Sequence, residues 1–175
     1  MVRVFQYGSN TSSLRLNSQP RLQGTAQSLG LALTEQPYEM SFTFYSSKNG
    51  CAAADLTPGG GRRVYGVLYE IPGERVFRAK SGGWTTLDDV EGEGEHYTRT
   101  TICVRLAGEE ETPVEAYTYL VKDPEPGLQT CIDYVRHILL GLREHGAPQE
   151  YLDYVKSRIR SSNPGIGPEL DAMFP

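Results

Sequence analysis

Residues 114–144 read VEAYTYLVKDPEPGLQTCIDYVRHILLGLRE, and the fold class turns on a change of period inside them. The segment Val114–Val121 reads as a strand, rich in β-branched and aromatic residues. Further on, Ile132, Val135, Ile138, Leu139 and Leu142 recur at helical spacing, so residues 130–144 read as an amphipathic helix. Gly146 lies just past its end as a cap, and Pro148 opens a second helix striped by Tyr151, Leu152, Val155 and Ile159. The run SSNPGIGPE, residues 161–169, then ends that helix.

Everything upstream of this switch reads as short strands between Gly and Pro punctuation. Candidates are residues 2–7, 26–34 (bent at Gly30), 38–45, 52–56, 63–71 and Tyr97–Leu106. In 38–45 the alternation puts Met40, Phe42 and Phe44 on one face. The polar run GEEET, residues 108–112, suits a hairpin loop. Many strands followed by a helical pair predict one α+β domain over residues 1–160. Its strands curl into a small mixed β-barrel or strongly twisted sheet, with the C-terminal helices packed on it. Residues 161–175 read as a peripheral C-terminal tail.

Composition excludes several functions. A chain of 175 residues suits one domain with a real core. A net charge of −5 argues against nucleic acid as a partner, since phosphate binding needs a basic surface. Cys51, Cys103 and Cys131 form no CxxC spacing and fit a reducing compartment, each thiol a small apolar filler. His96, His137 and His145 show no informative spacing to any cysteine, which argues against a cysteine nucleophile or a zinc site. No apolar run approaches the roughly 18 residues of a membrane span, and the N-terminus has no signal-peptide core. The expectation is a cytoplasmic protein with no membrane partner; oligomeric state is not legible.

The motif survey is mostly negative. GEGEHY (92–97) is not a dinucleotide fingerprint, and TPGGGRR (57–63) lacks the Lys-Ser/Thr of a phosphate loop and reads as a hairpin turn. No GxSxG occurs, so Ser9 is not a nucleophile-elbow serine, and HExxH is absent. The segment WTTLDDVEGEGEHYTR (84–99) is different. Trp84, Leu87 and Val90 are apolar at i, i+3 and i+6, so a helical turn can pack inward. Thr85 or Thr86 can cap it, with Asp88 and Asp89 in the first turn where the helix dipole favours anions. Glu91 then falls at the C-terminal end, where exposed carbonyls repel a carboxylate and raise its pKa, as a general base requires. Two plainer readings stand beside this one: a solvated acidic loop, or Glu91, Glu93 and Glu95 holding a divalent cation, for which the spacing of a calcium loop is missing. The turn Tyr7-Gly8-Ser9-Asn10 after the first strand either reverses the chain or cradles an anion with successive N–H groups.

Together these pieces resemble the gamma-glutamylcyclotransferases, in the superfamily that includes gamma-glutamylamine cyclotransferases. The matching stretches are Tyr7-Gly8-Ser9-Asn10, VYGVLYEI (64–71), LDDVEG (87–92), Tyr97-Thr98-Arg99 and YVRHILLGLREHGAPQEYLDYV (134–155). They run in order from residue 2 to about residue 160. The Glu91-to-Tyr97 interval is nearer the gamma-glutamylamine branch. The resemblance implies conversion of a γ-glutamyl amide or peptide to 5-oxoproline plus free amine, with Glu91 as general acid/base. It also implies substrate contacts from Tyr7, Gly8, Ser9, Asn10, Tyr97 and Arg99, and no metal or organic cofactor. The partner is a small-molecule γ-glutamyl substrate whose amine stays open. Alternatives are a non-catalytic binder of such a metabolite, a hydrolase using Glu91 to activate water, and an interaction module using the acidic loop.

Overall fold

The computed structural model of the protein describes residues 1–108 and 112–175. Strand β1 (Val2–Gln6) leads into a 3-10 turn (Ser9–Thr11) and the short helix α1 (Ser13–Leu16). Then come β2 (Gln27–Thr34), β3 (Tyr38–Ser46), β4 (Cys51–Pro58) and β5 (Tyr65–Ile71). Two short helices follow, α2 (Gly73–Val76) and α3 (Leu87–Glu91), before β6 (Tyr97–Leu106) and β7 (Val114–Val121). Helices α4 (Ile132–Glu144), α5 (Gln149–Ser162) and α6 (Gly167–Met173) close the chain. The expected hairpin loop at 108–112 lies mostly outside the described residues.

Five strands form a closed barrel in the order β1-β5-β2-β6-β7, and β3 pairs with β4 in a separate two-stranded sheet. Neighbours in the barrel are antiparallel except at the closure, where β1 meets β7 in parallel at Val4 and Tyr117. Closure leaves few free edges on a short-stranded sheet. Gly30 sits at a register shift in β2 with φ 125°, a conformation that side-chain-bearing residues avoid, and this bends the strand as a barrel corner needs. The apolar stripes read for α4 and α5 are core: Ile138, Leu139, Leu142, Val155 and Ile159 pack in one buried cluster with Met40 and Phe42 of β3. A second cluster gathers Leu16, Leu22 and Leu87 around Val4, Tyr97 and Tyr119. Helix α4 also seats the first turn of the chain. A Cβ on Gly141 would lie 2.3 Å from the Thr11 carbonyl carbon, so only glycine allows this approach.

Several expectations change. Residues 161–175, read as peripheral, carry Ile166, Leu170 and Phe174, all buried. Leu170 lies within α6 and Ile166 and Phe174 flank its two ends, and the Lys156 ammonium donates to the Phe174 carbonyl at 2.5 Å. The TPGGGRR segment is no hairpin turn, because β4 pairs with β3 while β5 pairs with β1 and β2. It carries the chain between the two sheets, held to β3 by Tyr38 N–H donating to Arg62 O. Trp84 is 57% exposed, with the Arg75 guanidinium over its ring, so Leu87 alone anchors that turn fully. Two of the three thiols are not isolated fillers: Cys51 and Cys131 place their sulfurs 2.7 Å apart, while Cys103 is exposed. Among the described residues, no helix is long and apolar enough to cross a membrane.

Candidate active site

Helix α3 is one turn and a half, too short to persist on its own, and its contacts explain its presence. Thr86 caps it in a reciprocal box: Asp89 N–H donates to Thr86 Oγ1 at 3.2 Å, and Thr86 N–H donates to Asp89 Oδ2 at 3.0 Å. Asp88 is buried and accepts from Arg99 (2.5 Å), the Tyr119 hydroxyl (2.8 Å) and Arg78 N–H (3.0 Å). These bonds fix the helix to β6 and β7. Gly92 ends it in the left-handed conformation at φ 68°, directly after Glu91. Glu91 is half-buried as a residue, with its carboxylate turned inward onto Asn10, whose Nδ2 donates to Oε1 at 2.7 Å.

The 7–10 stretch supplies the facing wall. Thr11 N–H bonds back to Gly8 O at 3.0 Å, making a 3-10 turn, and Thr11 Oγ1 donates to Ile138 O at 3.2 Å. The Tyr7 hydroxyl donates to Tyr119 O at 2.6 Å, so it tethers the turn to β7. Tyr134 of α4 accepts from Ala54 N–H at 2.9 Å and stands 3.4 Å from where a Gly8 Cβ would lie, so Gly8 admits its hydroxyl. Behind the turn, Arg21 donates to Asn10 Oδ1 at 2.9 Å. That bond orients the Asn10 amide with its nitrogen toward Glu91. Arg15 bridges Ser9 Oγ (3.1 Å) and Asn49 Oδ1 (2.9 Å).

These walls enclose a cleft of about 280 Å³ between the 9–10 turn, the 46–49 loop and the end of α3. At its inner end is a chamber of about 30 Å³, bordered by Gln6, Glu91, Tyr97, Tyr119 and Tyr134. Burial raises the Glu91 carboxyl above its ordinary value, against the opposing pull of Arg21, the Asn10 hydrogen bond, Arg15 and Lys48. The dominant cause is therefore desolvation, as a low-dielectric pocket provides, rather than repulsion by helix-end carbonyls. Burial also lifts the Tyr7 and Tyr97 hydroxyls well above the usual phenol range, so both stay neutral hydrogen-bonding groups. Arg15 and Arg21 are lowered by burial, and neither has a carboxylate within salt-bridge distance among the described residues.

Of the residues singled out from sequence, Glu91, Tyr7, Gly8, Ser9, Asn10 and Tyr97 come together around the chamber. Arg99 does not join them. Two places along β6 from Tyr97, its guanidinium pairs with Asp88 and covers the Phe77 ring at 4.7 Å. The buried Asp88 carboxylate needs that cation, and the pairing holds α3 rather than a ligand. Glu93 and Glu95 do not converge with Glu91: among the described residues there is no cluster of three acidic, His or Cys side chains fit for a metal. Arg15, Arg21, Lys48, Tyr134 and Gln6 were not anticipated. The visible signal was a pair of arginines in TSSLRLNSQPRL (11–22), straight after the YGSN turn of an acidic chain.

The family model described as "Gamma-glutamyl cyclotransferase, AIG2-like" matches residues 4–136. Among solved structures, one titled "Gamma-glutamyl cyclotransferase" superposes with a TM-score of 0.73 at 22% identity, covering 89% of this chain and 86% of that one. An uncharacterized protein from Homo sapiens gives a TM-score of 0.73 at 23% identity, with coverage of 89% and 86%. YkqA from Bacillus subtilis gives 0.72 at 23% identity, over 91% of this chain and 54% of that longer one. At these identities the likeness is one of fold. No curated protein sequence matches the chain.

Proposed function

The chain belongs to the gamma-glutamyl cyclotransferase, AIG2-like family, and on that premise we propose that it converts a γ-glutamyl amide or peptide to 5-oxoproline and a free amine. The observation that carries this reading is Glu91: a carboxylate raised by burial, held by one neutral donor, at the inner end of a polar cleft. The substrate's own α-amine attacks its γ-carbonyl carbon, and Glu91 takes the amine proton. The tetrahedral intermediate collapses by breaking the bond to the leaving nitrogen, which receives that proton from Glu91. The nucleophile belongs to the substrate, so the enzyme's task is to hold a five-atom chain folded. Such preorganisation is worth about 7–11 kcal/mol in well-oriented cases.

Asn10 keeps the carboxylate aimed, and Arg21 keeps Asn10 aimed. Gly8, Ser9 and Asn10 would present N–H groups to the glutamyl carboxylate or to the developing oxyanion, with Tyr7 and Tyr97 as walls or hydrogen-bond donors. The cations Arg21 and Lys48 on the cleft, with Arg15 behind, favour a substrate that carries negative charge. The test is mass spectrometry of the purified protein with a panel of γ-glutamyl amines and dipeptides. 5-Oxoproline supports the reading. Free glutamate would mean that Glu91 activates water instead. Tight binding of an intact substrate would mean a binder on the same fold.

A further inference from the structure

Gln6 is the last residue of β1, and its side chain is 94% withdrawn from solvent (6% exposed). Its amide nitrogen, Nε2, is buried with no hydrogen-bond partner. Burying an amide donor unpaired is destabilising, and a methionine or leucine would fill the same space without that cost. Gln6 borders the 30 Å³ chamber that Glu91 also borders. It lies on the β1 face shared with Val4, and Val4 packs in the same cluster as Tyr97 and Tyr119, which also border the chamber.

We propose that the Gln6 amide donates a hydrogen bond to the γ-carbonyl oxygen of the substrate, and holds that oxygen as it becomes an oxyanion. This rests on the cyclotransferase reading of the site. Two of the nearby hydroxyls are already committed, Tyr7 to the Tyr119 carbonyl and Tyr119 to Asp88, while Tyr134 accepts from Ala54 N–H. Charge supports the proposal as well. A lysine or arginine here would stabilise ionised Glu91 and lower its pKa, undoing the effect of burial. A neutral amide supplies a donor where negative charge develops and leaves the base raised.

The experiment measures kcat, KM and Tm for Gln6→Met beside wild type and Glu91→Gln, with 5-oxoproline as readout. Removing an unpaired buried amide is expected to raise Tm by about 2–4 °C. Removing an oxyanion donor is expected to lower kcat by about 10²-fold with KM within about threefold. A raised Tm with unchanged kcat overturns the proposal, since the amide then meets no reacting atom. A raised KM at constant kcat also overturns it, because Gln6 would bind the ground state alone. Should Gln6→Met fail to fold, Gln6→Asn keeps the amide but withdraws it by one methylene. Its kcat is expected to fall between wild type and the full loss, and wild-type kcat in Asn overturns the geometry. Wild type that makes no 5-oxoproline from any substrate removes the cyclotransferase reading and this proposal together. An active wild type with an indifferent Gln6→Met removes this proposal alone.

Discussion

Replacing Glu91 by glutamine separates the two things this carboxylate does to the protein. Gln keeps an oxygen that can accept from Asn10 Nδ2, now 2.7 Å from Glu91 Oε1, so packing is nearly conserved. On the proposed role, what disappears is the proton exchange. Loss of a general acid–base group costs about 10²–10⁴ in rate, equal to about 3–5 kcal/mol of barrier. Stability should move the other way. The Glu91 carboxyl is raised in the folded state by burial, so its favourable contribution is full below the ordinary carboxylate range. It is lost as pH rises through the raised value, because a buried charge must then be carried. Each unit of that rise is worth about 1.36 kcal/mol, or about 3–5 °C of Tm for a chain of this size. Glu91→Gln is therefore expected to melt above wild type at pH 8 and near it at pH 4. Calorimetry across that range, beside 5-oxoproline assays, tests both arms. A variant within tenfold of wild-type kcat/KM, or a Tm difference that does not widen with pH, refutes the assignment of Glu91 as a buried base.

The acid limb of kcat/KM should also respond to Arg21, the strongest of the influences lowering Glu91. Arg21→Gln is expected to move that limb to higher pH on the same substrate, whose own amine titrates identically in both proteins; an unmoved limb argues against the coupling. Asp88→Asn weakens the pairing with Arg99 and leaves part of that cluster unmatched. It is expected to cost about 2–4 kcal/mol in urea unfolding and to lower activity through displacement of α3. Alkylation by iodoacetamide should mark Cys103, which is exposed, and spare Cys51, whose buried thiol is pushed up to about 12 beside Cys131. Peptide mass mapping reads this directly, and equal labelling of the two contradicts the burial.

Much of the architecture was legible because periodicity is local. The helical stripe from Ile132 to Leu142 and the strands Tyr97–Leu106 and Val114–Val121 follow from residue spacing alone, and each recurs in the structure. Glu91 was legible for a similar reason, since Thr86, Leu87 and Gly92 encode cap, anchor and stop within seven residues. What spacing could not supply is who meets whom. Barrel closure between Val4 and Tyr117, the burial of Phe174 and the capture of Arg99 by Asp88 are long-range pairings. The surroundings of the raised Glu91 carboxyl belong with them: a low-dielectric pocket is a general expectation for such a base, while the fold decided that this group is buried and set Arg21 and Asn10 around it. The same holds for Gln6, an unremarkable residue in a strand pattern until the chain folds over it. Sequence by itself determined the long strands, the α4–α5 pair and the capped turn that carries Glu91, because backbone preference and capping act between near neighbours. Tertiary structure decided which polar groups lose water and which partners they find, because desolvation depends on everything packed around a group.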